Sequence, residues 1–377
     1  MFKKLKKKTI LMTAAITLGS SPIIGCISAS QPVQAARKSS MKSYVRNVMA
    51  KNHVRGDILV VKDGKVQNIT YGYGNYARRI NNNNNSLVYP TASLQKVVTA
   101  AMVMQLMKET KNTKKAFNQN TTISRWYPYL KNSSRITVGN LLTHTSGLEA
   151  RNTETNRGRI YSENQAIKWM VNQANANTYR GVGYSFVYGN VNYVLLAGII
   201  RQVTGKSYAT NLNHRIVKKL GLSKTFVASQ VPNNKINALS YTYNYYNYRY
   251  PSAMSNTVAS QIPGAGNLYT TPEEYYKILV GLSNGKILSQ SQFHTMAHLK
   301  SKKSTYSGGL YIKKKGKLKL AYGAIEGTYF GNWAQLTSDN KSGIIMFLNQ
   351  TNGNKYTEKE IGYKILNRIR PNYFSKK

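Results

Sequence analysis

The chain has 377 residues with 54 Lys and Arg, 12 Asp and Glu, a formal net charge of +42 and one cysteine. The length suits one large domain or two interleaved lobes, and the 41% hydrophobic content is enough to build a packed core. A single cysteine excludes an intrachain disulfide, and the few acids and five scattered histidines argue against a metal site. We therefore expect neither a metal nor a cofactor.

The N-terminus has the layout of a secretory signal. Residues 1–8 carry five lysines, residues 9–19 are uncharged and mostly apolar, and Val33-Gln34-Ala35 is a small-residue cleavage pattern. A lipid anchor is an alternative, because Ile23-Ile24-Gly25-Cys26 resembles a bacterial lipobox, and an uncleaved anchor is a third interpretation. We favour simple cleavage after Ala35 or Ala36 and assign residues 1–36 to a signal peptide or membrane anchor. Only if it is retained as an anchor would this segment attach the protein to the membrane.

The excess of positive charge restricts the class of partner. A charge of +42 attracts polyanions such as nucleic acid, anionic lipid or the polyphosphate chains of a bacterial envelope. Export removes nucleic acid from this set, so we expect an extracellular protein that meets an anionic polymer or surface of the envelope. The alternative is that the charge is an adaptation to the wall environment without specific binding.

Predicted elements place strands at both ends of the chain and helices between them. Apolar spacing predicts helices at residues 41–50, 93–110, 191–203 and 357–369, and strands at residues 56–61, 66–73 and within 307–349. Asp63-Gly64 predicts a hairpin turn between the first two strands. This order is typical of an α/β lobe, here from about 41–90 and 260–373, with a helical lobe of about 91–259 inserted. Both lobes would belong to one domain, residues 37–373.

The first chemical motif is Ser93-Leu94-Gln95-Lys96. Its serine lies at the start of the long apolar helix, and its lysine lies one turn later on the same face. A helix N-terminus favours an alkoxide and an oxyanion, and a partly desolvated lysine can accept the serine proton. The same spacing recurs elsewhere in the chain, at Ser39/Lys42, Ser283/Lys286 and Ser338/Lys341. Spacing alone therefore favours a helix-capping serine with a surface lysine, and only the apolar helix distinguishes Ser93.

A second motif, Tyr188-Gly189-Asn190, follows roughly a hundred residues later and leads into another apolar helix. Tyr188 would supply a phenol that shuttles a proton, and Asn190 an amide that orients Lys96 or the substrate. The bare triplet has little weight in a chain with 29 Tyr, because Tyr73/Asn75 and Tyr245/Asn247 match it as well. Its weight comes from its order and separation relative to the Ser-Lys motif.

In this order the motifs resemble the serine β-lactamase and penicillin-binding superfamily, especially its class C-like branch, over residues of about 43–366. Two further segments, residues 136–148 and 264–272, match the same pattern. The resemblance implies a β-lactamase/transpeptidase-like fold, with an antiparallel sheet from both termini flanked by helices. It implies a structural role for His144. It also implies four catalytic residues that act through an acyl-enzyme: Ser93, Lys96, Tyr188 and Asn190.

The third active-site motif of this superfamily is altered. Its members place Lys or His, then Ser or Thr, then Gly on the strand that lines the site. The equivalent run here is Gly323-Ala324-Ile325-Glu326-Gly327-Thr328, which has neither Lys nor His at that place. In penicillin-binding proteins that strand helps to hold the substrate carboxylate. D,D-peptidase and β-lactamase activities are therefore disfavoured: either the enzyme has decayed or its substrate presents a different group.

The chain also resembles teichoic-acid D-alanyl esterases of the FmtA and DltE type, in residues 264–272, around Tyr188 and in Gly327-Thr328-Tyr329-Phe330-Gly331. In a D-alanyl ester the carboxyl is tied to a polyol and the amine is a free cation. Glu326 would pair with that ammonium. The resemblance places three residues in the substrate site: Glu326, Thr328 and Tyr329. The backbone N–H groups of Ser93 and Gly327 would hold the oxyanion.

These resemblances imply a secreted serine hydrolase of a Gram-positive cell wall, or of the outer face of the cytoplasmic membrane, that acts on teichoic or lipoteichoic acid. One alternative is a D,D-carboxypeptidase or penicillin-binding protein that acts on peptidoglycan stems. Another is a non-catalytic teichoic-acid-binding protein. Residues 241–250, rich in Tyr and Asn, would either line a groove for the polymer or form a polar surface loop, and we favour the loop.

Overall fold

A computed structural model of the chain describes residues 39–183, 185–299, 304–352, 357–371 and 373–374. The predicted signal or anchor, residues 1–36, lies outside the described residues. All helices and strands given below belong to the unit Ser40–Lys377. Within the part of the chain that is described, none of the helices combines the length and the apolar character that crossing a membrane requires.

The α-helices of the described chain are α1 Met41–Lys51, α2 Lys96–Glu109, α3 Val138–Leu142, α4 Glu163–Ala176, α5 Asn190–Thr204, α6 Tyr208–Leu212, α7 Lys218–Leu220, α8 Asn256–Gln261, α9 Pro272–Gly281, α10 Gln290–Ala297 and α11 Thr357–Ile369. Short 3₁₀ turns occupy Ala92–Gln95, Ile123–Arg125, Ser133–Arg135 and Ala228–Gln230, and a π-helical turn occupies Asn213–Val217. The predicted helices therefore form close to their expected bounds.

The strands of the described chain are β1 Arg55–Lys62, β2 Lys65–Tyr71, β3 Tyr73–Asn75, β4 Ile80–Asn81, β5 Leu87–Pro90, β6 Phe226–Val227, β7 Ile236–Asn237, β8 Ser240–Asn244, β9 Tyr246–Ser252, β10 Leu268–Thr270, β11 Tyr306–Ser307, β12 Leu310–Lys313, β13 Leu318–Gly323, β14 Gly331–Thr337 and β15 Gly343–Thr351. Asp63 and Gly64 connect β1 to β2 with positive φ values of 52° and 77°, which a tight hairpin turn requires.

The main sheet joins the two ends of the described chain. Its path is β11-β12-β13-β14-β15-β1-β2, and every neighbouring pair along this path is antiparallel. Ile58 of β1 lies opposite Met346 of β15, so the first long strand pairs directly with the last. The predicted antiparallel sheet from both termini, flanked by helices, is confirmed.

Alternation along β1 gives the sheet two buried faces. Ile58 and Val60 pack with α1 and α11, whereas Leu59 and Val61 face the larger core that contains α2 and α5. A strand buried on both faces reads as a continuous apolar run, which explains the sequence Ile58-Leu59-Val60-Val61. The sheet is therefore a layer between the terminal helices and the helices of the middle of the chain.

Two details differ from the sequence predictions. Ser93 lies in the 3₁₀ turn Ala92–Gln95, and the α-helix begins only at Lys96. The segment 241–250 is not a loop: it forms most of the β8–β9 hairpin, and β8 adds to the main sheet through parallel pairing with β15 at Gln350 and Thr351. Tyr recurs at every second residue within each strand, at 241 and 243 in β8 and at 246, 248 and 250 in β9, which is the strand period that the loop interpretation overlooked.

Gly56 provides a test of the sheet. Its φ is 149°, and a Cβ there would lie 2.3 Å from the Phe347 carbonyl oxygen. We expect Gly56→Ala to lower the free energy of unfolding by about 3 kcal/mol or more, from backbone strain plus overpacking. Gly64→Ala is the control, because a residue with a φ of 77° is strained but nothing lies within 4 Å of its Cβ position. We expect this variant to lower the free energy of unfolding by only about 1 kcal/mol. Equal losses in chemical denaturation would contradict this account.

Candidate active site

Ser93 is held where β5 gives way to α2. The Thr91 N–H donates to the Leu268 carbonyl at 2.8 Å, and the Tyr275 hydroxyl donates to the Leu94 carbonyl at 2.9 Å. Ala92, directly before the serine, is buried and has a φ of 50°, a conformation that costs a non-glycine residue free energy. The surrounding contacts therefore fix a strained turn that presents Ser93 next to the first turn of α2.

Lys96 is completely buried, and its side-chain amino group makes three hydrogen bonds. Its Nζ donates to Ser93 Oγ at 2.8 Å, to Asn190 Oδ1 at 2.9 Å and to the Ala265 carbonyl at 2.8 Å. Burial lowers the pKa of Lys96 to about 7, and the nearby Glu154 carboxylate acts in the opposite direction. Near neutral pH a large fraction of Lys96 is therefore uncharged and able to accept the Ser93 proton.

Tyr188 completes the group at the mouth of the cavity. Its ring centroid lies 5.1 Å from Lys96 Nζ, and its side chain lines the same cavity as Ser93. Burial raises the pKa of the Tyr188 phenol, and the neighbouring Ser93 hydroxyl acts in the opposite direction. Because 39% of the residue is exposed, solvent moderates the effect of burial, but the direction keeps the phenol protonated at neutral pH. Tyr188 is therefore placed to donate a proton rather than to accept one.

Asn190 is the first residue of α5 and connects Lys96 to Thr153 and Glu154. Its Oδ1 accepts from Lys96, while its Nδ2 donates to Glu154 Oε1 at 2.7 Å and to Thr153 Oγ1 at 3.1 Å. Every hydrogen-bonding atom of the amide therefore has a partner, which fixes its orientation. The structure thus brings together the four residues that the sequence predicts as catalytic: Ser93, Lys96, Tyr188 and Asn190.

His144 lies behind this group. It is fully buried, its Nδ1 lies 3.0 Å from Asn192 Nδ2, and its ring centroid lies 4.4 Å from that of Tyr188. Burial and the nearby Lys96 lower its pKa, so the imidazole is neutral. The geometry makes His144 a packing support for the Tyr188 ring, in keeping with the structural role that the resemblance implies.

Glu154 is a site residue that the sequence motifs did not reveal. It lies in the same cavity as Ser93, and besides its bond with Asn190 its Oε2 accepts the Glu326 N–H at 2.8 Å. Glu326 lines the same cavity. The only hint in the sequence is that acidic residues are rare, 12 in the whole chain. That hint does not predict which acidic residue lies close to the nucleophile after folding.

The strand end next to Ser93 is Gly323, not Gly327. A Cβ on Gly323 would lie 2.7 Å from the Ser93 nitrogen, so only glycine permits this approach. Gly327 and Thr328 line a neighbouring cavity instead, and the Gly327 carbonyl accepts from Ser252 Oγ at 3.0 Å. The predicted oxyanion position of Gly327 is therefore not beside the nucleophile, because β13 ends at Gly323 and the chain then turns away.

Of the three predicted substrate residues, only one lines the cavity that contains Ser93. Glu326 lies in the cavity with Ser93, whereas Thr328 does not line it. Tyr329 does not line it either, and its N–H donates to Ser240 Oγ at 3.1 Å. Among the described residues, no three His, Cys, Asp or Glu side chains lie close enough together to hold a metal ion.

The cavity has a volume of about 890 Å³. Its inner part contains Ser93, Tyr188 and Asn190 together with two carboxylates, Glu154 and Glu326. The run 323–328, which stands where the third motif of penicillin-binding proteins carries its cation, contains neither Lys nor His. Ser93, Tyr188 and the two carboxylates therefore share one solvent-accessible space, and the buried Lys96 is hydrogen-bonded to Ser93 behind it, an arrangement that suits acyl transfer from a cationic substrate.

The arrangement defines a class of protein. The sequence matches the family model described as Beta-lactamase over residues 41–366. The chain therefore belongs to the Beta-lactamase family, and it is a serine hydrolase of the β-lactamase fold.

Two of the proteins that the chain is similar to come from Staphylococcus aureus. Teichoic acid D-alanine hydrolase of Staphylococcus aureus is 27% identical over 321 residues, which cover 84% of this chain and 75% of that protein. The crystal structure of FmtA from S. aureus matches with a TM-score of 0.70 at 26% identity, covering 87% of each chain.

Two more distant structures share the fold. D-amino acid amidase from Ochrobactrum anthropi SV3 matches with a TM-score of 0.72 at 20% identity, covering 88% of this chain and 97% of that chain. An octameric penicillin-binding protein homologue from Pyrococcus abyssi matches with a TM-score of 0.71 at 21% identity, covering 87% of this chain and 76% of that chain.

The lowered pKa of Lys96 predicts the pH dependence of acyl transfer. If neutral Lys96 is the base, kcat/KM for a small acyl ester rises with pH and is half-maximal near pH 7, where the Lys96 pKa lies. Glu154→Gln removes the charge that stabilises the ammonium form. We therefore expect this variant to move the half-maximal point to lower pH.

Glu326→Gln is the matched control for this experiment, because Glu326 is not among the charges that act on Lys96. Its profile should stay close to that of the wild type. An unchanged or upward-shifted midpoint in Glu154→Gln, measured as kcat/KM between pH 5 and 9, contradicts the assignment of Lys96 as the base.

Proposed function

We propose that the protein is an exported serine hydrolase that releases D-alanine from D-alanyl esters of teichoic or lipoteichoic acid at a Gram-positive cell envelope. The observation that carries this proposal is the position of Glu154 and Glu326 in the cavity of the nucleophile, where a free ammonium group would be held. The likeness to the S. aureus teichoic acid D-alanine hydrolase supports the same substrate. Residues 1–36 would direct export or anchor the hydrolase domain, residues 37–373.

The first step is acylation of Ser93. Neutral Lys96 accepts the proton of Ser93 Oγ across 2.8 Å as the oxygen attacks the ester carbonyl carbon. The carbonyl π electrons move to the oxygen, which becomes an oxyanion. The Ser93 N–H and the backbone N–H after Gly323, that of Ala324, replace Gly327 as its proposed donors. Each such donor typically lowers the barrier by about 3–4 kcal/mol.

The leaving group then departs as an alcohol. Collapse of the oxyanion breaks the bond to the polyol oxygen, and the Tyr188 phenol donates a proton to that oxygen. The Lys96 ammonium returns a proton to the phenolate, and the hydrogen bond from Lys96 to Asn190 keeps its amine aligned for both transfers. A water molecule, deprotonated by the same lysine, next attacks the acyl-enzyme carbonyl. Collapse of the resulting oxyanion breaks the bond between the acyl carbon and Ser93 Oγ, and Lys96 returns the proton to Oγ, so that D-alanine is released and the Ser93 hydroxyl is restored.

Charge distinguishes the ester from a peptidoglycan stem. A stem ending in D-Ala-D-Ala carries a free carboxylate, which two glutamates on the cavity wall repel. A D-alanyl ester carries an ammonium group and no free carboxylate, so the same wall attracts it. At longer range the net charge of +42 attracts the polyphosphate chain to which the ester is attached.

Release of D-alanine tests the proposal directly. Purified wild-type protein should release D-alanine from D-alanylated lipoteichoic acid, and Ser93→Ala should lower kcat/KM by at least ~10³-fold, because no other group replaces the nucleophile. Ser338→Ala is the control, since Ser338 has the same spacing to a lysine but is exposed.

Muropeptides that end in D-Ala-D-Ala serve as the second substrate, and we expect much slower release from them. Absence of release from lipoteichoic acid by the wild-type protein would refute the esterase. Faster release from the muropeptides would instead support the D,D-carboxypeptidase alternative. Salt-sensitive binding of the polymer that is unaffected by Ser93→Ala, without turnover, would support the non-catalytic alternative.

A further inference from the structure

The cavity is much larger than the acyl group that the proposed reaction places in it. A D-alanyl group has only a few heavy atoms, whereas about 890 Å³ is the size of site that holds a whole drug-sized ligand. The glutamates next to Ser93 account for the inner end. The remainder must therefore serve the other half of the ester, the alcohol that leaves.

This outer part lies on the face of the sheet that α11 covers. Tyr311 pairs with Leu320 and Tyr322 pairs with Trp333, so these four side chains point to the same face. All four line the cavity. Tyr322 directly precedes Gly323, the residue against Ser93, so the outer part begins at the nucleophile and runs outward along β13.

Aromatic rings form the floor of this outer part. The rings of Tyr311 and Tyr322 lie 5.6 Å apart at 12°, those of Tyr322 and Trp333 lie 6.4 Å apart at 24°, and Tyr363 of α11 meets Trp333 at 6.3 Å. Tyr322 is 50% exposed, although a large aromatic residue usually buries more of its surface. An open aromatic row of this kind offers flat apolar faces to the C–H surface of a ligand.

The charged residues of the outer part differ in sign from those of the inner part. Lys313 of β12 and Lys359 of α11 line it, and both are exposed. Glu358 also lines it, half-buried, and burial raises its pKa. A carboxyl in that environment suits hydroxyl groups, whereas the two ammonium groups suit a phosphate. One cavity therefore has an anionic end at the nucleophile and a cationic, aromatic end further out.

We propose that Lys313, Lys359, Tyr322 and Tyr363 form a subsite for the polyol-phosphate chain that carries the ester. The lysines contact a phosphodiester, the tyrosine rings contact the carbon chain, and Glu358 contacts its hydroxyl groups. The subsite directs the leaving oxygen towards Tyr188. This inference rests on the proposed esterase function and assigns the part of the cavity that the acyl group leaves empty.

The test compares a polymeric with a small substrate, D-alanylated lipoteichoic acid and D-alanine methyl ester. In the double variant Lys313→Ala/Lys359→Ala, the ratio of kcat/KM for the polymer to kcat/KM for the methyl ester should fall roughly five- to thirty-fold, from two lost ion pairs. Lys62→Ala/Lys65→Ala removes the same charge at the β1–β2 hairpin, on the opposite edge of the sheet, and should keep the wild-type ratio.

A competition experiment provides a second measurement. Poly(glycerol phosphate) without D-alanine should inhibit methyl ester hydrolysis by the wild type, and inhibit the Lys313→Ala/Lys359→Ala protein several-fold more weakly. Equal ratios in the two double variants overturn the subsite while leaving the esterase intact. Failure of the wild-type protein to hydrolyse either ester overturns the esterase itself, and hydrolysis of the methyl ester alone overturns the polymer as substrate.

Discussion

The site depends on one buried amine. Lys96 is fully enclosed, and its Nζ contacts only neutral acceptors, namely a hydroxyl, an amide and a backbone carbonyl. An ammonium ion in such a place loses its hydration, so burial stabilises the neutral form and brings the pKa to about 7. The Glu154 carboxylate, which is hydrogen-bonded to Asn190, limits this lowering of the Lys96 pKa. The amine is thereby kept close to the point at which it can both accept and return a proton.

The packing of the helices creates this enclosure. α2 is buried along almost its whole length and lies against α5, which brings Asn190 to Lys96. The third acceptor, the Ala265 carbonyl, comes from a loop in which Gly264 has a φ of 72° and its carbonyl accepts from Thr99 Oγ1 at 2.6 Å. A Cβ on Gly264 would lie 2.8 Å from that of Ala197. Close backbone approach therefore supplies a hydrogen-bond acceptor where no side chain would fit.

Charge acts on two length scales in this protein. The excess of 54 cations over 12 acids sets up a long-range field that favours a polyanion, and salt weakens that field within a Debye length. Inside the cavity that contains Ser93 the local charge has the opposite sign, because the carboxylates of Glu154 and Glu326 line it. An anionic polymer with cationic substituents fits both patterns. The D-alanyl teichoic acids have this charge distribution, which is the physical basis of the proposed function.

The sequence by itself determined the elements and the family. Apolar periodicity placed α2, α5 and α11, the Asp63-Gly64 turn placed the first hairpin, and the order of the motifs indicated the Beta-lactamase family that the comparison confirms. Only the tertiary structure placed Glu154 in the site, Gly323 rather than Gly327 against Ser93, and the β8–β9 hairpin on the sheet. Periodicity and turns depend on neighbours along the chain, so the sequence displays them. A loop carboxylate or a strand end is positioned by contacts with residues far away in sequence, and those contacts exist only once the chain has folded.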